Sequence, residues 1–169
     1  LRFSEPDLSV IVQECDVCFV SLPHGESGSL IPELRRQRPD LVLVDLAADF
    51  RLRSARAYRE AYGVEHPAPE LLAEFVYALP EKYRKRLHHQ TSLAAPGCFA
   101  TAVILLLEPL RAEGWLPKTV VVEAVTGSSG SGASPSPGTH HPERDGDFRA
   151  YEPLTHRHLA EIRQEVPGT

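Results

Sequence analysis

The sequence predicts a doubly wound α/β layer that lacks its opening strand. Three observations predict it. Two continuous apolar runs, 16–22 (DVCFVSL) and 41–46 (LVLVDL), flank a short amphipathic segment at 30–38. Runs without polar alternation suit strands buried on both faces of a parallel sheet, and strand–helix–strand is the rhythm of such a layer. Third, no Gly-rich turn precedes Asp16, although a doubly wound cofactor domain normally begins with one. The chain opens at Leu1 and has no methionine, so we expect an internal segment of a longer protein.

The elements follow in order. The first run ends at the turn signal Pro23-His24-Gly25. Leu30, Ile31 and Leu34 share one face of the helix at 30–38. Residues 47–90 are charged and punctuated by Pro67, Pro69 and Pro80, with short helices expected at 54–62 and 81–88. A short strand at 92–95 leads into Pro96-Gly97-Cys98. From Phe99 to Ala112 the chain is apolar and helix-forming, with Pro109 expected to kink or close the helix early. The β-branched run 119–125 (TVVVEAV) reads as a strand. A Gly/Ser stretch and a Ser/Pro/Gly/His loop come next. A last helix is expected at 156–166, with Leu159, Ile162 and Val166 on one face.

Composition excludes several classes. With 42% hydrophobic and 24% charged residues the chain is globular, not disordered. A net charge of −5 argues against nucleic acid as a partner. No apolar run approaches the length of a membrane span, and no signal-peptide pattern opens the chain. The cysteines, Cys15, Cys18 and Cys98, are odd in number and few, which suits free thiols in a reducing cytoplasm. Cys15 and Cys18 have CxxC spacing without a second ligand pair, so they read as structural, with Cys18 buried in a strand. The adjacent His140 and His141 do not make a metal site, because neighbouring residues rarely point the same way; no metal is expected.

Three places carry chemistry. Cys98 follows a strand and opens a helix, where unpaired N–H groups favour a thiolate and can hold an oxyanion. His156 and His158 open the last helix and can act as acid and base, with Glu161 close enough in sequence to orient His158. Asp45 to Leu52 (DLAADFRL) leaves a strand's carboxyl end, where open α/β sheets place ligands, and Arg51 offers a fork for an anion. The stretch 127–132, with Ser129, Gly130 and Gly132, could present N–H groups to phosphate.

Ala95-Pro96-Gly97-Cys98-Phe99-Ala100-Thr101-Ala102 resembles the active-site motif of N-acetyl-γ-glutamyl-phosphate reductases. Leu22-Pro23-His24-Gly25, Asp45 to Leu52, Val125 to Gly130 and His156-Arg157-His158 occur in that family's order. The resemblance implies the later part of an NADP-binding Rossmann domain at 1–97. It implies the start of an α+β catalytic domain of the glyceraldehyde-phosphate dehydrogenase-like type at 98–169. It further implies NADPH-dependent reduction of an acyl phosphate through a thioester on Cys98, with His156 or His158 as acid/base. Arg51 and Arg144 would bind substrate; Leu22, Pro23, His24, Gly25, Ser129, Gly130 and Gly132 would face NADP(H). A homo-oligomer, dimer or tetramer, is implied. A close branch of the family acts on an aminoadipyl phosphate borne by a small acidic carrier protein, and the loop 133–144 resembles that branch. Phe99 and the chain's acidity favour the free acetylated substrate; the carrier-bound one is the alternative. From the residues alone, a cofactor-free Cys/His thiol hydrolase and a non-catalytic binding module also stand.

If Cys98 is the catalytic thiol, Cys98→Ser in the intact protein abolishes reduction and Cys18→Ala retains it. Acyl-phosphate-dependent NADPH oxidation measures both.

Overall fold

The computed structural model describes residues 7–132 and 134–168. The elements run α1 (Leu8–Glu14), β1 (Val17–Val20), α2 (Ser27–Gln37), β2 (Val42–Asp45), α3 (Ala55–Tyr62), β3 (Val76–Tyr77), α4 (Pro80–Leu87), β4 (Ser92–Ala94), α5 (Cys98–Ala112), α6 (His141–Arg144) and α7 (His158–Glu165). The strands form one parallel sheet in the order β1-β2-β4-β3, with Val17 opposite Val42, Leu43 opposite Ser92 and Val76 opposite Leu93. The doubly wound α/β layer expected from the sequence is therefore present. All strands being parallel, their carboxyl ends open on one edge, and the loops at 21–26, 46–54 and 95–97 leave from it.

Two packed groups hold this edge. Val20, Ile31, Leu34, Leu41, Leu43, Phe50 and Ala94 bury the α2 face of the sheet. Ala100, Val103, Ile104 and Leu107, spaced along one face of α5, pack with Tyr77, Leu79 and Val166. The helix runs through Pro109 to Ala112, beyond the early stop expected. A proline costs one hydrogen bond, and the packed face of α5 lies ahead of it.

Several expectations are corrected. No strand forms at 119–125: Val121 and Val125 stand exposed, and no ladder partner runs beside them among the described residues. β-branched residues favour a strand only where a neighbouring strand satisfies the backbone. Cys18 is half-buried on β1 rather than buried, and among the described residues β1 pairs with β2 alone. The last helix begins at His158 rather than His156, because the His156 Nδ1 accepts the His158 N–H (3.2 Å) and so caps it from outside. Val166 is buried and Ile162 packs against the same core, as expected, and His158, Glu161 and Glu165 are buried as well.

Asp45 ends β2 fully buried, with Oδ1 accepting the Ala47 N–H (3.1 Å) and Oδ2 unpartnered. Burial first, and the neighbouring Asp49 charge, push its pKa up to about 6 against the hydrogen bonds that lower it. The folded group thus holds its proton more tightly than the unfolded one. The stability it contributes is present at low pH and lost as pH rises through about 6. Asp45→Asn removes that loss, so melting curves of the intact protein should show a higher Tm for the variant at pH 7.5 and little difference near pH 4.

Candidate active site

The site gathers at the sheet's carboxyl edge around a buried carboxylate. β4 delivers Ala95-Pro96-Gly97, and Gly97 caps α5, leaving Cys98 exposed in its first turn. Gly97 has an ordinary φ of −66°, so no backbone strain demands glycine there. Close approach does: a Cβ on Gly97 would lie 2.5 Å from His158 Nε2 and 2.8 Å from Glu161 Oε1. On the other side of Cys98, the Phe99 ring meets His156 edge-on at 5.4 Å and His158 at 6.3 Å. Both neighbours of the thiol therefore touch the His158 ring.

His158 is buried, and its Nδ1 has no partner among the described residues. Burial, then His156, Arg51 and Arg157, lower its pKa to about 4, so the ring is neutral at pH 7. His156 is half-exposed, with its Nε2 3.3 Å from the Tyr151 hydroxyl.

Glu161 does not orient His158 as the sequence spacing suggested. Its Oε1 stands 3.9 Å from His158 Nε2, beyond hydrogen-bond range. The carboxylate instead accepts from the Tyr77 hydroxyl (2.8 Å), the Gly97 N–H (3.0 Å) and Arg51 Nη1 (3.3 Å). The sequence offers the Arg51 fork to substrate. The structure gives the guanidinium other acceptors: Nε donates to the Ala95 carbonyl (2.8 Å), Nη2 to the Leu46 carbonyl (3.0 Å) and Nη1 to Glu161. It joins the loops after β2 and β4.

Asp49 organises the adjacent loop. Its carboxylate accepts from the Gly25 and Gly28 N–H groups, Ser27 Oγ and the Tyr58 hydroxyl, and lies 2.7 Å from His24 Nδ1. Burial raises its pKa, but these donors outweigh burial and hold it below the usual carboxylate range. Gly25 has φ +91°, a conformation that favours glycine, and its amide reaches Asp49 from that turn. The His24 ring lies on Tyr62 (4.3 Å between centroids). Burial, first, pushes the Tyr62 phenol up to about 12. Leu22, Pro23, His24 and Gly25 thus form a braced rim beside the site.

The other expected residues lie apart. Ser129, Gly130 and Gly132 are exposed in a short 3-10 turn (Ser128–Ser131), and the Gly130 and Gly132 amides donate within that turn, not outward to a phosphate. Arg144 sits on α6, 3.8 Å from Asp147. Among the described residues no hydrogen bond or ring contact joins these groups to Cys98 or the histidines. A shallow cavity of about 980 Å³ adjoins the turn, lined by Ser129, Ser136, Thr139, His140, His141 and Arg149 among others, and it does not reach Cys98. Ala133, at the start of the expected recognition loop, falls outside the described residues. Sequence reasoning missed Tyr77 and the role of Asp49. A tyrosine inside the apolar run 75–79 (FVYAL) was a signal, since a buried phenol needs an acceptor.

The model for "Semialdehyde dehydrogenase, NAD binding domain" matches residues 1–90, and that for "Semialdehyde dehydrogenase, dimerisation domain" matches residues 98–168. The chain belongs to the semialdehyde dehydrogenase family. It is 46% identical over 166 residues to an N-acetyl-gamma-glutamyl-phosphate reductase of Methanopyrus kandleri, covering 98% of this chain and 48% of the relative. It is equally 46% identical, over 158 residues, to the LysW-L-2-aminoadipate 6-phosphate reductase of Deinococcus radiodurans, covering 93% of this chain and 45% of the relative. A LysW-L-2-aminoadipate/LysW-L-glutamate phosphate reductase of Saccharolobus solfataricus is 42% identical, covering 98% of this chain and 47% of the relative. The chain spans about half the length of these relatives. The resemblance read from its motifs is borne out at the level of the family.

The close fit of Gly97 against His158 gives a direct expectation. Gly97→Ala should destabilise the intact protein by roughly 1–3 kcal/mol, as overpacking does. Because the tightest clash is with the His158 ring, Gly97→Ala in a His158→Ala background should cost less, a non-additivity read by denaturant melts of the double-mutant cycle.

Proposed function

We propose that the whole protein is a nicotinamide-dependent reductase that converts an acyl phosphate to a semialdehyde through a thioester on Cys98. The observation that carries this reading is the placement of an exposed thiol in the first turn of α5, flanked by two residues that both touch a neutral, buried imidazole.

The thiol sulfur attacks the acyl carbon, its proton passes to the neutral His158 ring, and the phosphate leaves as the C–S bond forms. A nicotinamide cofactor supplies the hydride that reduces the thioester. Unpaired N–H groups in the first turn of α5 face the oxyanion that results, and the His158 proton is held against it. The C–S bond then breaks, the aldehyde leaves, and Cys98 is restored. The residues present fit one wall of the cofactor site. The rim 22–25 stands at the carboxyl edge of a parallel sheet, where such ligands bind, and Asp49 holds it rigid. The amides of Gly25 and Gly28 are committed to Asp49, so this rim walls the site and does not cradle phosphates. NADP(H) is the form we assign.

The substrate we propose is N-acetyl-γ-glutamyl phosphate. Support comes from the acidic chain, which opposes an acidic partner, and from the Methanopyrus kandleri relative. The Deinococcus radiodurans and Saccharolobus solfataricus relatives favour a second reading, an aminoadipyl or glutamyl phosphate on a carrier protein. In either case we propose a homo-oligomer, supported by the dimerisation-domain match and by the apolar Leu106 and Trp115 left exposed along and just after α5.

Phosphate-dependent oxidation of N-acetylglutamate semialdehyde by the intact protein, with NADP as acceptor, is the test. The proposal expects turnover that changes little between low and moderate salt. Activity confined to a carrier-bound semialdehyde and falling steeply with salt selects the second reading. Phosphate-dependent oxidation of neither semialdehyde overturns the reductase assignment.

A further inference from the structure

Helix α7 meets the α/β layer through two similar triads. In the inner one, the Glu161 carboxylate lies between Arg51 and the Tyr77 hydroxyl. In the outer one, a turn later, the Glu165 carboxylate lies between Arg53 and the Tyr83 hydroxyl. Both carboxylates are fully or almost fully buried. They differ in their remaining partners: Glu165 also accepts from Gln164 Nε2 (3.0 Å) and faces Lys82 Nζ at 3.9 Å. Only the inner carboxylate also accepts a backbone amide of the nucleophile's turn, that of Gly97, and it does so with the same oxygen, Oε2, that Tyr77 holds.

We propose that Tyr77 is a positioning residue for Cys98, acting through Glu161. Its hydroxyl fixes one oxygen of a carboxylate that would otherwise be free to turn between Arg51 and the Gly97 amide. That oxygen fixes the Gly97 N–H, and with it the direction in which α5 starts. The first-turn amides that favour a thiolate and receive an oxyanion take their aim from that start. Tyr77 is buried on β3, lies away from Cys98 in sequence, and touches no reacting atom; it acts only through the carboxylate. Tyr83 makes the equivalent bond in the outer triad without reaching the turn, which makes it the matched control.

The inference rests on the reductase reading for its kinetic consequence, but not for its chemical one. The experiment therefore has two readouts on the intact protein and its Tyr77→Phe and Tyr83→Phe variants. The first is the rate of iodoacetamide alkylation at Cys98, followed by mass spectrometry of the Cys98 peptide, with no substrate or cofactor present. The second is steady-state acyl-phosphate reduction. We expect Tyr77→Phe to slow alkylation by about tenfold, the scale of one aligned hydrogen bond to a charged group. It should lower kcat by a similar factor while KM stays within about twofold, as for an interaction felt mainly in the transition state. Tyr83→Phe should lower Tm by as much as Tyr77→Phe, or more, and leave both readouts near wild type. Glu161→Gln tests the same link from the other end and should also slow alkylation. Unchanged alkylation in Tyr77→Phe, or equal slowing in Tyr77→Phe and Tyr83→Phe, overturns the positioning role. Selective slowing of alkylation in a protein that reduces neither acyl phosphate supports the positioning role while overturning the reductase reading.

Discussion

Glu161 is a carboxylate with no exposure to water, and the site is built around keeping it satisfied. An ionised carboxylate without partners in such a place would cost far more than any single packing contact returns. Arg51, Tyr77 and the Gly97 amide together supply what water would. Each of those partners belongs to a different segment of the sheet's carboxyl edge: the loop after β2, strand β3 and the turn after β4. One side chain on α7 therefore ties three parts of the layer to one another and to the helix that carries His158. Removing either member of the Arg51–Glu161 pair would leave the other charge buried and alone, which is more disruptive than never having had the pair.

Asp49 does the corresponding work on the other side of the edge. It faces two backbone amides, two hydroxyls and a histidine, and so stays ionised in spite of burial. The result is a rim at 22–25 that cannot drift relative to β2. A rigid rim and a fixed Cys98 turn are the pre-organisation that the proposed reaction needs, since a reacting geometry lost by an ångström costs a large part of the rate. The two carboxylates are connected through the chain itself, for Asp49 and Arg51 lie two residues apart in one loop.

What the sequence made legible is what local pattern decides. The apolar runs of β1 and β2, the short helix that is α3 and the thiol at the start of α5 all follow from residues close to one another in the chain. What it hid is what distant residues decide. Arg51 looked like an anion fork because its acceptors, two backbone carbonyls and a glutamate 110 residues away, leave no trace in its neighbourhood. The buried face of α7 is wider than its pattern suggests for the same reason: Val166 and Ile162 pack as the apolar stripe implies, and partners on the layer draw Glu161 and Glu165 inward as well. The run 119–125 shows the opposite failure, a sound strand pattern with no neighbour to pair with among the described residues.

The titration of the site follows from the same burial, and it has a consequence for how the protein responds to acid. His158 is neutral when folded down to about pH 4, whereas its unfolded form takes a proton near 6.5, so its contribution to stability is lost as pH falls through that interval. Asp45 runs the other way: folding holds its proton up to about pH 6 from an unfolded value of 3.8, so its contribution grows as pH falls. Over roughly pH 4 to 6 the unfolded chain carries the extra proton on the imidazole and the folded chain carries it on the carboxyl. The two slopes oppose, and stability varies less with pH across that range than either group alone would make it. Acid thus destabilises the fold through the neutral His158 imidazole, and the buried Asp45 carboxyl, which prefers to be protonated, offsets part of that cost.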